Sequence, residues 1–440
     1  MFVEDFSHKR ALIERILDEP PQAEPGDFTP VVRDVLARRE QFLAAAARHA
    51  TPCYLYDDAP FSAALTDFTS TFGQHVPRHQ AFYAVKTNHH RWLIAAAVQA
   101  GLGLDVSSGR ELCAAIAAGA KQIIFSGPAK SRDDLALAVQ HADRVRVNLD
   151  SARELKVLNE VAAQNGAQVR AGVRIFTDRH GAWSKFGIPL SSLAPFWREA
   201  AQLRHVELAG IQSHLSWTHD AQPYCDVIAA VAAVLRDEFT AEERRSVRYY
   251  DFGGGYRPHR IEGRYPTSLA LGELVRVADE EFGEASRFAA RYYFQDSVPL
   301  AAYAEAIGAA IRAQLVPLVD AEYYSEPGRI VSSRSMHLLL RVADKKRDDL
   351  VIVDGGIHMV GWEKYLHVFA PLVNLSQPAL TELPVQVCGS LCDPEDIFGR
   401  TVFASGIAEG DLLLIPNQGA YTFATAQNFI HDVPPVHRLP

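Results

Sequence analysis

The alternation of short β-rich runs with longer helical stretches is the feature that most limits how this chain can fold. The stretches between the β-rich runs are rich in Ala, Leu and Glu with helical apolar spacing. Because strand–helix units build parallel sheets, and eight such strands close a barrel, the sequence predicts an α/β fold with a (β/α)8 TIM barrel. The eight predicted strands are AFYAV (81–85), GLDVS (103–107), QIIFSG (122–127), RVRVNL (144–149), VRAGVRI (169–175), LAGIQSHL (208–215), VRYYDFG (247–253) and EYYSEPG (322–328).

After the eighth run the alternation of strands and helices ends. Strand-like runs are then joined by Gly, Pro and Asp turns with almost no helix between them. These runs predict a mostly antiparallel C-terminal β domain, and the upstream run TPCYLYD predicts a further strand that joins it. The sequence therefore divides into an N-terminal helical segment with this strand (1–57), the barrel (58–330) and the β domain (331–440). We expect the long segment 256–296 to cover the mouth of the barrel and the final PPVHRLP to form a loose tail.

Composition narrows the classes of function. The formal net charge of −9 disfavours binding to nucleic-acid phosphates. The longest apolar stretch (93–104) is too short to cross a membrane, and the N-terminus lacks the apolar core of a signal peptide. Five cysteines form neither a disulfide framework nor a pattern of zinc ligands, so we expect a reduced, cytoplasmic protein without a metal.

Polar side chains follow the predicted barrel strands, at the end of the barrel where enzymes of this fold have their active sites. The runs DFGGGY and SEPGR follow the last two strands, where this fold binds phosphate, and their glycine N–H groups and arginine suit an anion. The residues at these strand ends are Lys86, Asp105, Ser107, Asn148, Arg174, His214, Gly253, Gly254, Gly255, Glu326 and Arg329.

Lys86 follows an apolar strand, so burial is expected to lower the pKa of its amine and make it nucleophilic. Alternatively, its ammonium reaches past the barrel rim into water, as lysines commonly do. A lysine nucleophile, a phosphate site and a strand-end carboxylate in one barrel are the parts needed to hold pyridoxal 5'-phosphate. The sequence therefore favours an enzyme that uses this cofactor.

Seven motifs occur in the order seen in the fold-type III decarboxylases, the pyridoxal-phosphate-dependent family with an alanine racemase-like barrel. From about residue 51 to 430 the chain resembles this family, in particular its diaminopimelate, ornithine/arginine and carboxynorspermidine decarboxylases. The resemblance implies an amino-acid decarboxylase that is a homodimer with active sites shared across the interface. The motifs are YAVKTNHH (83–90), GLGLDVSSGREL (101–112), KFGIP (185–189), DFGGGY (251–256), SEPGR (325–329), CGSLCDPEDIFG (388–399) and GAYTF (419–423).

The resemblance also implies roles for individual residues. Lys86 would carry the cofactor as a Schiff base, His214 would stack on its ring, and Glu326 would bind its pyridine nitrogen. Asp105 and Arg174 would support the cofactor, and Asp354 would lie near the distal group of the substrate. Cys392 and Asp393 would reach into the active site of the partner subunit. The phosphate would be held by Gly253, Gly254, Gly255, Gly328, Arg329 and Tyr421.

The chemistry implied by the resemblance is loss of the α-carboxylate. The substrate amine displaces Lys86 to form an external aldimine, and departure of CO2 leaves a quinonoid. Glu326 keeps the pyridine nitrogen protonated so that the ring accepts the electrons. Cys392 is the preferred proton donor to the α carbon.

Two other functions share parts of this pattern. An amino-acid racemase of the alanine racemase type has a similar barrel but typically pairs the pyridine nitrogen with an arginine, where this sequence has Glu326. A catalytically inactive regulatory homologue tends to lose the lysine, the cysteine or the phosphate ligands, and all of these are present here. Both alternatives are therefore disfavoured.

Two departures from the family pattern bear on the substrate. Relatives follow the stacking histidine with a Gly-Ser pair whose hydroxyl helps to hold the phosphate, but His214 is followed by Leu215, Ser216 and Trp217. Either Ser216 substitutes for that hydroxyl or the contact is absent. Diaminopimelate decarboxylases also carry an arginine for a distal carboxylate, where this chain has Trp362 and Glu363.

These departures and the long insertion resemble divergent members that serve siderophore or other secondary-metabolite pathways. Such members decarboxylate an amino acid that is joined to a larger acyl group. We therefore expect either a diamino acid or an acyl-conjugated amino acid as the substrate. Four residues could line the pocket for such a substrate: His358, Trp362, Lys364 and His367. It is an equally good interpretation that they occupy ordinary surface and core positions of the β domain.

Overall fold

The computed structural model describes residues 7–18, 26–183, 185–283, 292–294, 297–361 and 367–440. Its N-terminal segment packs on the C-terminal sheet, since Phe28, Val32 and Phe42 are buried in one apolar cluster with Leu339 and Leu414. The elements of this segment are α1 (Ser7–Asp18), α2 (Thr29–Ala37), α3 (Arg39–Arg48) and β1 (Cys53–Tyr56).

Eight parallel strands within the described residues close into a barrel in the order β5-β4-β3-β2-β12-β9-β8-β6, and β5 pairs with β6. Each of the eight predicted strands coincides with one of them, which confirms the predicted (β/α)8 barrel. The short β7 pairs with β6 beside the barrel, and β10 and β11 belong to a separate small sheet. In chain order the strands are β2 (His79–Ala84), β3 (Gly103–Val106), β4 (Ile123–Phe125), β5 (Val145–Leu149), β6 (Val169–Phe176), β7 (Ile188–Pro189), β8 (Val206–Gln212), β9 (Tyr249–Asp251), β10 (Gly263–Arg264), β11 (Tyr293–Phe294) and β12 (Glu322–Ser325).

Three consecutive helices around the barrel begin at serine caps. Ser108, Ser131 and Ser151 each accept a hydrogen bond from a backbone N–H of the first helical turn that follows. No helix in the described ranges is both long and apolar enough to cross a bilayer. In chain order the helices are α4 (Asp58–His75), α5 (Arg91–Gln99), α6 (Gly109–Ala117), α7 (Arg132–Gln140), α8 (Ala152–Gln164), α9 (Leu193–Ala201), α10 (Gln222–Asp237), α11 (Ala241–Ser246), α12 (Ala270–Phe282), α13 (Leu300–Gln314) and α14 (Arg329–Ser332).

Tyr249 is closely packed inside the barrel. Tyr249 in β9 is 1% exposed, stacks on Tyr324 with ring centroids 4.9 Å apart, and donates to Asn148 Oδ1 at 2.9 Å. Gly172 and Gly210 on neighbouring strands make room for it, because a Cβ at either position would lie within 2.2 Å of a Tyr249 atom. The floor of the active site therefore rests on a closely packed core.

The C-terminal residues form a mixed, mostly antiparallel sheet, as predicted, in which β1 pairs antiparallel with β13. The loose-tail prediction for the last residues was wrong. Val436–Arg438 pairs in parallel with β1, whose free edge offers backbone groups that need partners. The strands are β13 (Met336–Arg347), β14 (Leu350–Val353), β15 (Val368–Phe369), β16 (Val373–Asn374), β17 (Glu382–Leu383), β18 (Gln386–Cys388), β19 (Ile397–Gly399), β20 (Val402–Phe403), β21 (Leu412–Ile415) and β22 (Val436–Arg438).

The described part of the 256–296 segment links the barrel to the β domain. Its strands β10 and β11 form a three-stranded antiparallel sheet with β15. At its start, Tyr256 and Arg257 line a cavity at the C-terminal end of the barrel. This segment therefore forms part of the barrel mouth.

Candidate active site

A cavity of about 280 Å³ lies where the C-terminal ends of the barrel strands meet the β domain. Tyr421 of the β domain reaches it because its backbone N–H bonds to the Thr87 carbonyl, just beyond β2. Most of the predicted cofactor residues line this cavity directly. Those that do are Lys86, His214, Ser216, Gly255, Glu326, Gly328, Arg329 and Tyr421.

Lys86 lies among carboxylates. Its Nζ donates to Asp105 Oδ2 at 2.9 Å and is 3.8 Å from Glu326 Oε2. Burial alone would lower the pKa of Lys86, but Asp105 and Glu326 outweigh it, and the net shift is upward. The prediction of a lowered pKa was therefore wrong, because it considered burial and not these two carboxylates.

Glu326 is held by two neutral donors. Gln212 Nε2 donates to its Oε1 at 2.8 Å, and His214 Nδ1 lies 2.6 Å from its Oε2. Burial lowers the pKa of His214 to about 4, so the imidazole is neutral at pH 7 and its Nδ1–H donates to the carboxylate. Burial would raise the pKa of Glu326, but His214 and Lys86 lower it below its usual value. The site therefore keeps Glu326 ionised.

Sequence reasoning missed two residues that contact Glu326 or the turn beside it. Gln212 precedes His214 by two positions, and in the predicted strand 208–215 that spacing puts both side chains on the same face. Asp251 begins the DFGGGY motif, and its Oδ1 accepts from Gly253 N at 2.9 Å. Burial and the nearby Glu326 raise the pKa of Asp251. Strand alternation could have revealed Gln212 before the structure did.

The glycines of both phosphate motifs are required by close packing. A Cβ on Gly254 would lie 2.3 Å from the Glu326 carbonyl oxygen, and one on Gly328 would lie 2.3 Å from Thr87 Oγ1. Arg329 then begins α14, with its guanidinium carbon 5.0 Å from the centroid of the Tyr421 ring. The two loops therefore bring backbone and guanidinium donors to one end of the cavity.

Arg174 lies at the end of β6 as predicted, 9% exposed, with its guanidinium carbon 4.4 Å from the Phe186 ring centroid. The loop that carries Phe186 is fixed by a hydrogen bond from Gly187 N to Asp150 Oδ1 at 2.9 Å. Burial lowers the pKa of Arg174, and its charge interacts with Glu326 and Asp150. The KFGIP motif thus packs against this arginine.

Four predicted substrate residues gather elsewhere on the β domain. None of Asp354, His358, Cys392 and Asp393 is among the described residues that line the Lys86 cavity. Buried Asp396, which sequence reasoning also missed, holds their two loops together by accepting from Ile357 N and Leu391 N at 2.8 Å each. Cys392 is exposed at the surface of this cluster.

The remaining predicted pocket residues divide into two groups. Trp362 and Lys364 lie outside the described residues. His367 lies next to β15, and its carbonyl accepts from Tyr265 N at 3.0 Å. His358 is 1% exposed, and its Nε2 lies 3.3 Å from the Asp432 carbonyl oxygen. Neither histidine lines the cavity of its own chain.

The residues present fit pyridoxal phosphate. One end of the cavity has a lysine amine beside the ionised Glu326, and the other has the glycine turns and Arg329. Asp105 Oδ1 is buried without a hydrogen-bond partner among the described residues, and so is Gln212 Oε1. Such atoms are costly to leave unpaired and are suited to a polar ligand. An amine, an acid and an anion site are the groups that this cofactor requires.

The fold and this site define a class. Residues 62–333 match the family model for the pyridoxal binding domain of the pyridoxal-dependent decarboxylases, and the chain belongs to that family. It is a pyridoxal-phosphate-dependent amino-acid decarboxylase, a carboxy-lyase, which confirms the predicted family, enzyme class and cofactor.

Its relatives include diaminopimelate decarboxylases. That of Pseudomonas aeruginosa is 27% identical over 405 residues, 87% of this chain and 86% of that protein. That of Aquifex aeolicus is 23% identical over 399 residues, 86% of this chain and 84% of that protein. The crystal structure of the M. jannaschii enzyme in complex with L-lysine has a TM-score of 0.73 and 21% identity, and covers 90% of this chain and 89% of that chain. This last likeness shows that the fold is shared.

Proposed function

We propose that this decarboxylase acts on a diamino acid or on an amino acid joined to a larger acyl group, as in siderophore or other secondary-metabolite biosynthesis. The relatives are named for diaminopimelate, but Trp362 and Glu363 stand where an arginine for its distal carboxylate is expected. The inserted segment that forms part of the barrel mouth supports a substrate with a bulkier or more acidic distal group.

Within the proposed mechanism, Lys86 Nζ would hold the cofactor until the substrate amine takes its place. Pyridoxal phosphate, when bound, would supply the electron sink that makes loss of the α-carboxylate possible. Glu326, held ionised by His214 and Lys86, would keep a proton at the pyridine nitrogen. Asp105 receives a hydrogen bond from Lys86 and orients its amine. The observation that carries this proposal is the position of Lys86 Nζ, 2.9 Å from Asp105 and 3.8 Å from Glu326 in one cavity with Arg329.

We also propose a homodimer in which each subunit completes the site of its partner. Cys392 would then return the proton to the α carbon, with Asp354, His358 and Asp393 near the substrate's distal group. Support comes from the grouping of these residues on the β domain, apart from the described lining of their own cavity.

The free state of all five cysteines supports a reducing, cytoplasmic environment.

The test is an absorbance spectrum of the purified protein with pyridoxal phosphate, before and after addition of amino acids and acyl-conjugated amino acids, with CO2 detected in parallel. We expect a visible band from the lysine-bound cofactor that shifts with one substrate and accompanies CO2 release. K86A should lose the band and turnover, whereas K156A, which changes an exposed lysine, should keep both. Exchange of the α proton without CO2 would identify a racemase, and the absence of any band would favour a regulatory homologue.

A further inference from the structure

Three arginines surround one tryptophan at the anion-binding end of the cavity. The guanidinium carbons of Arg257, Arg264 and Arg329 lie 4.9, 4.7 and 4.7 Å from the ring centroid of Trp217. These are distances at which cations interact favourably with an aromatic face. We call these four residues the arginine–tryptophan cluster. Three of its members, Trp217, Arg257 and Arg329, line the cavity itself.

The backbone of Trp217 shows that this arrangement is specific. Its φ is 59°, in the left-handed region that bulky residues rarely adopt. Such strain persists only where surrounding contacts hold the residue in place. Trp217 also lies in the stretch Leu215, Ser216 and Trp217, where relatives have the Gly-Ser pair after the stacking histidine. The contacts around its ring therefore mark the point at which this chain departs from its family.

The two additional arginines come from the segment that follows the glycine turn. Arg257 is two positions after Gly255 and is 4% exposed, and Arg264 in β10 is half-buried. Burial, followed by the charge of Arg264, lowers the pKa of Arg257 to about 9. A buried guanidinium beside two others is costly unless an anion compensates it.

The charges of the cluster indicate which anion that is. Glu262 lies among the three arginines: it accepts from Arg329 Nη1 at 2.6 Å and raises the pKa of both Arg257 and Arg264. Arg257 and Arg329 also line the cavity beside Gly255 and Gly328 of the two glycine turns. A phosphate monoester carries close to two negative charges at neutral pH. A phosphate group at this end of the cavity would therefore meet guanidinium and backbone N–H donors together.

We propose that Arg257 and Arg264 bind the cofactor phosphate together with Arg329. This inference rests on the proposed assignment of this end of the cavity to the phosphate. Arg257 lines the cavity and contributes directly. Arg264 is not among the described lining residues, and it contributes charge from its position 4.7 Å from the Trp217 ring centroid.

The test compares two ligands of the full-length apoenzyme, pyridoxal 5'-phosphate and pyridoxal, which lacks the phosphate. Their dissociation constants are measured by visible absorbance and by quenching of tryptophan fluorescence. In R257Q and R264Q we expect pyridoxal phosphate to bind about 10- to 100-fold more weakly, since a charge-assisted hydrogen bond or a close charge is lost. Affinity for pyridoxal should stay unchanged, because both molecules present the same aldehyde and ring to Lys86.

The control is R260Q, which removes the same charge from an exposed position of the same segment and should leave both affinities unchanged. R257K should recover part of the affinity for the phosphate-bearing ligand. Circular dichroism and thermal unfolding check that R257Q folds. If it does not, R264Q still provides the test, because Arg264 is only half-buried.

Three results would overturn the inference. An equal loss of affinity for both ligands would show that the two arginines have a purely structural role. Unchanged affinity for both would show that the arginines do not contact the phosphate. A raised KM with unchanged cofactor affinity would assign the cluster to the substrate. If the wild-type protein itself bound both ligands equally well, the underlying assignment of this end of the cavity to the phosphate would fail instead.

Discussion

Lys86 Nζ donates a 2.9 Å hydrogen bond to Asp105 Oδ2, and the two residues come from neighbouring barrel strands in which Ala84 pairs with Asp105. The pair sets the charge of the lysine. Asp105 itself has its pKa raised to about 7 by burial and by Glu326, against the opposing effect of Lys86. The ammonium therefore offsets repulsion between two buried carboxylates.

Removing the Asp105 charge should make Lys86 a better nucleophile at neutral pH. In D105N the pKa of Lys86 falls, because one of the two carboxylates that raise it is gone. We expect pyridoxal phosphate to attach roughly 10-fold faster at pH 7, with the pH–rate profile displaced to lower pH. Stopped-flow absorbance measures the rate, and D133N on the exposed surface is the control. Slower attachment in D105N would contradict the expectation.

Mixed dimers test whether sites are shared between subunits. K86A and C392A chains should each have little activity alone, whereas co-expressed chains with different tags form heterodimers that contain one intact site. Random association should restore about one quarter of wild-type activity. A mixture of K86A with E326Q is the matched control and should restore none, because both residues belong to the same cavity. No recovery in the first mixture would mean that each chain forms a complete site.

Acid should destabilise the fold through buried neutral histidines. Burial lowers the pKa of His79 to about 4, and its Nε2 lies 2.8 Å from Ser325 Oγ. Below pH 6.5 the unfolded chain binds a proton that the folded chain does not, so the free energy of unfolding falls as the pH drops. This one residue accounts for roughly 2 kcal/mol of the loss between pH 7 and 5. Urea unfolding at both pH values measures the loss of unfolding free energy. This loss should be smaller in H79Q than in the wild-type protein and unchanged in H8Q.

Two glycine-to-alanine changes should move stability in opposite directions. A Cβ at Gly210 would lie 2.0 Å from Tyr249 Cζ inside the barrel, so G210A should lower the free energy of unfolding by about 1–3 kcal/mol. Gly73 in α4 has nothing within 4 Å of the corresponding position, so G73A should raise it by about 0.5–1 kcal/mol. Chemical denaturation measures both. Equal stability of the two variants would show that the interior can make room for the added methyl group.

Local patterns predicted the barrel well because they depend on neighbours along the chain. A strand followed by a helix can be recognised from the spacing of apolar residues in the sequence. The residue after each strand must then lie at the same end of the barrel. The sequence alone therefore predicts that Lys86, His214, Glu326 and Arg329 lie together. The pairing of Val436–Arg438 with β1 could not, because a strand at the end of the chain is defined by the free edge it meets.

The sequence by itself determined the order of the eight strands, the residue types at their ends and, through these, the cofactor chemistry. Tertiary structure alone decided the charge states of the side chains that carry out this chemistry. The pKa of Lys86 rises because Asp105 and Glu326 come from other strands. Lys86 and the neutral His214, which also come from other strands, in turn keep Glu326 ionised. It also placed Arg257 and Arg264 around Trp217, some 40 positions away in the chain. Periodicity is a property of adjacent residues, whereas electrostatic energy depends on distance through space and on burial.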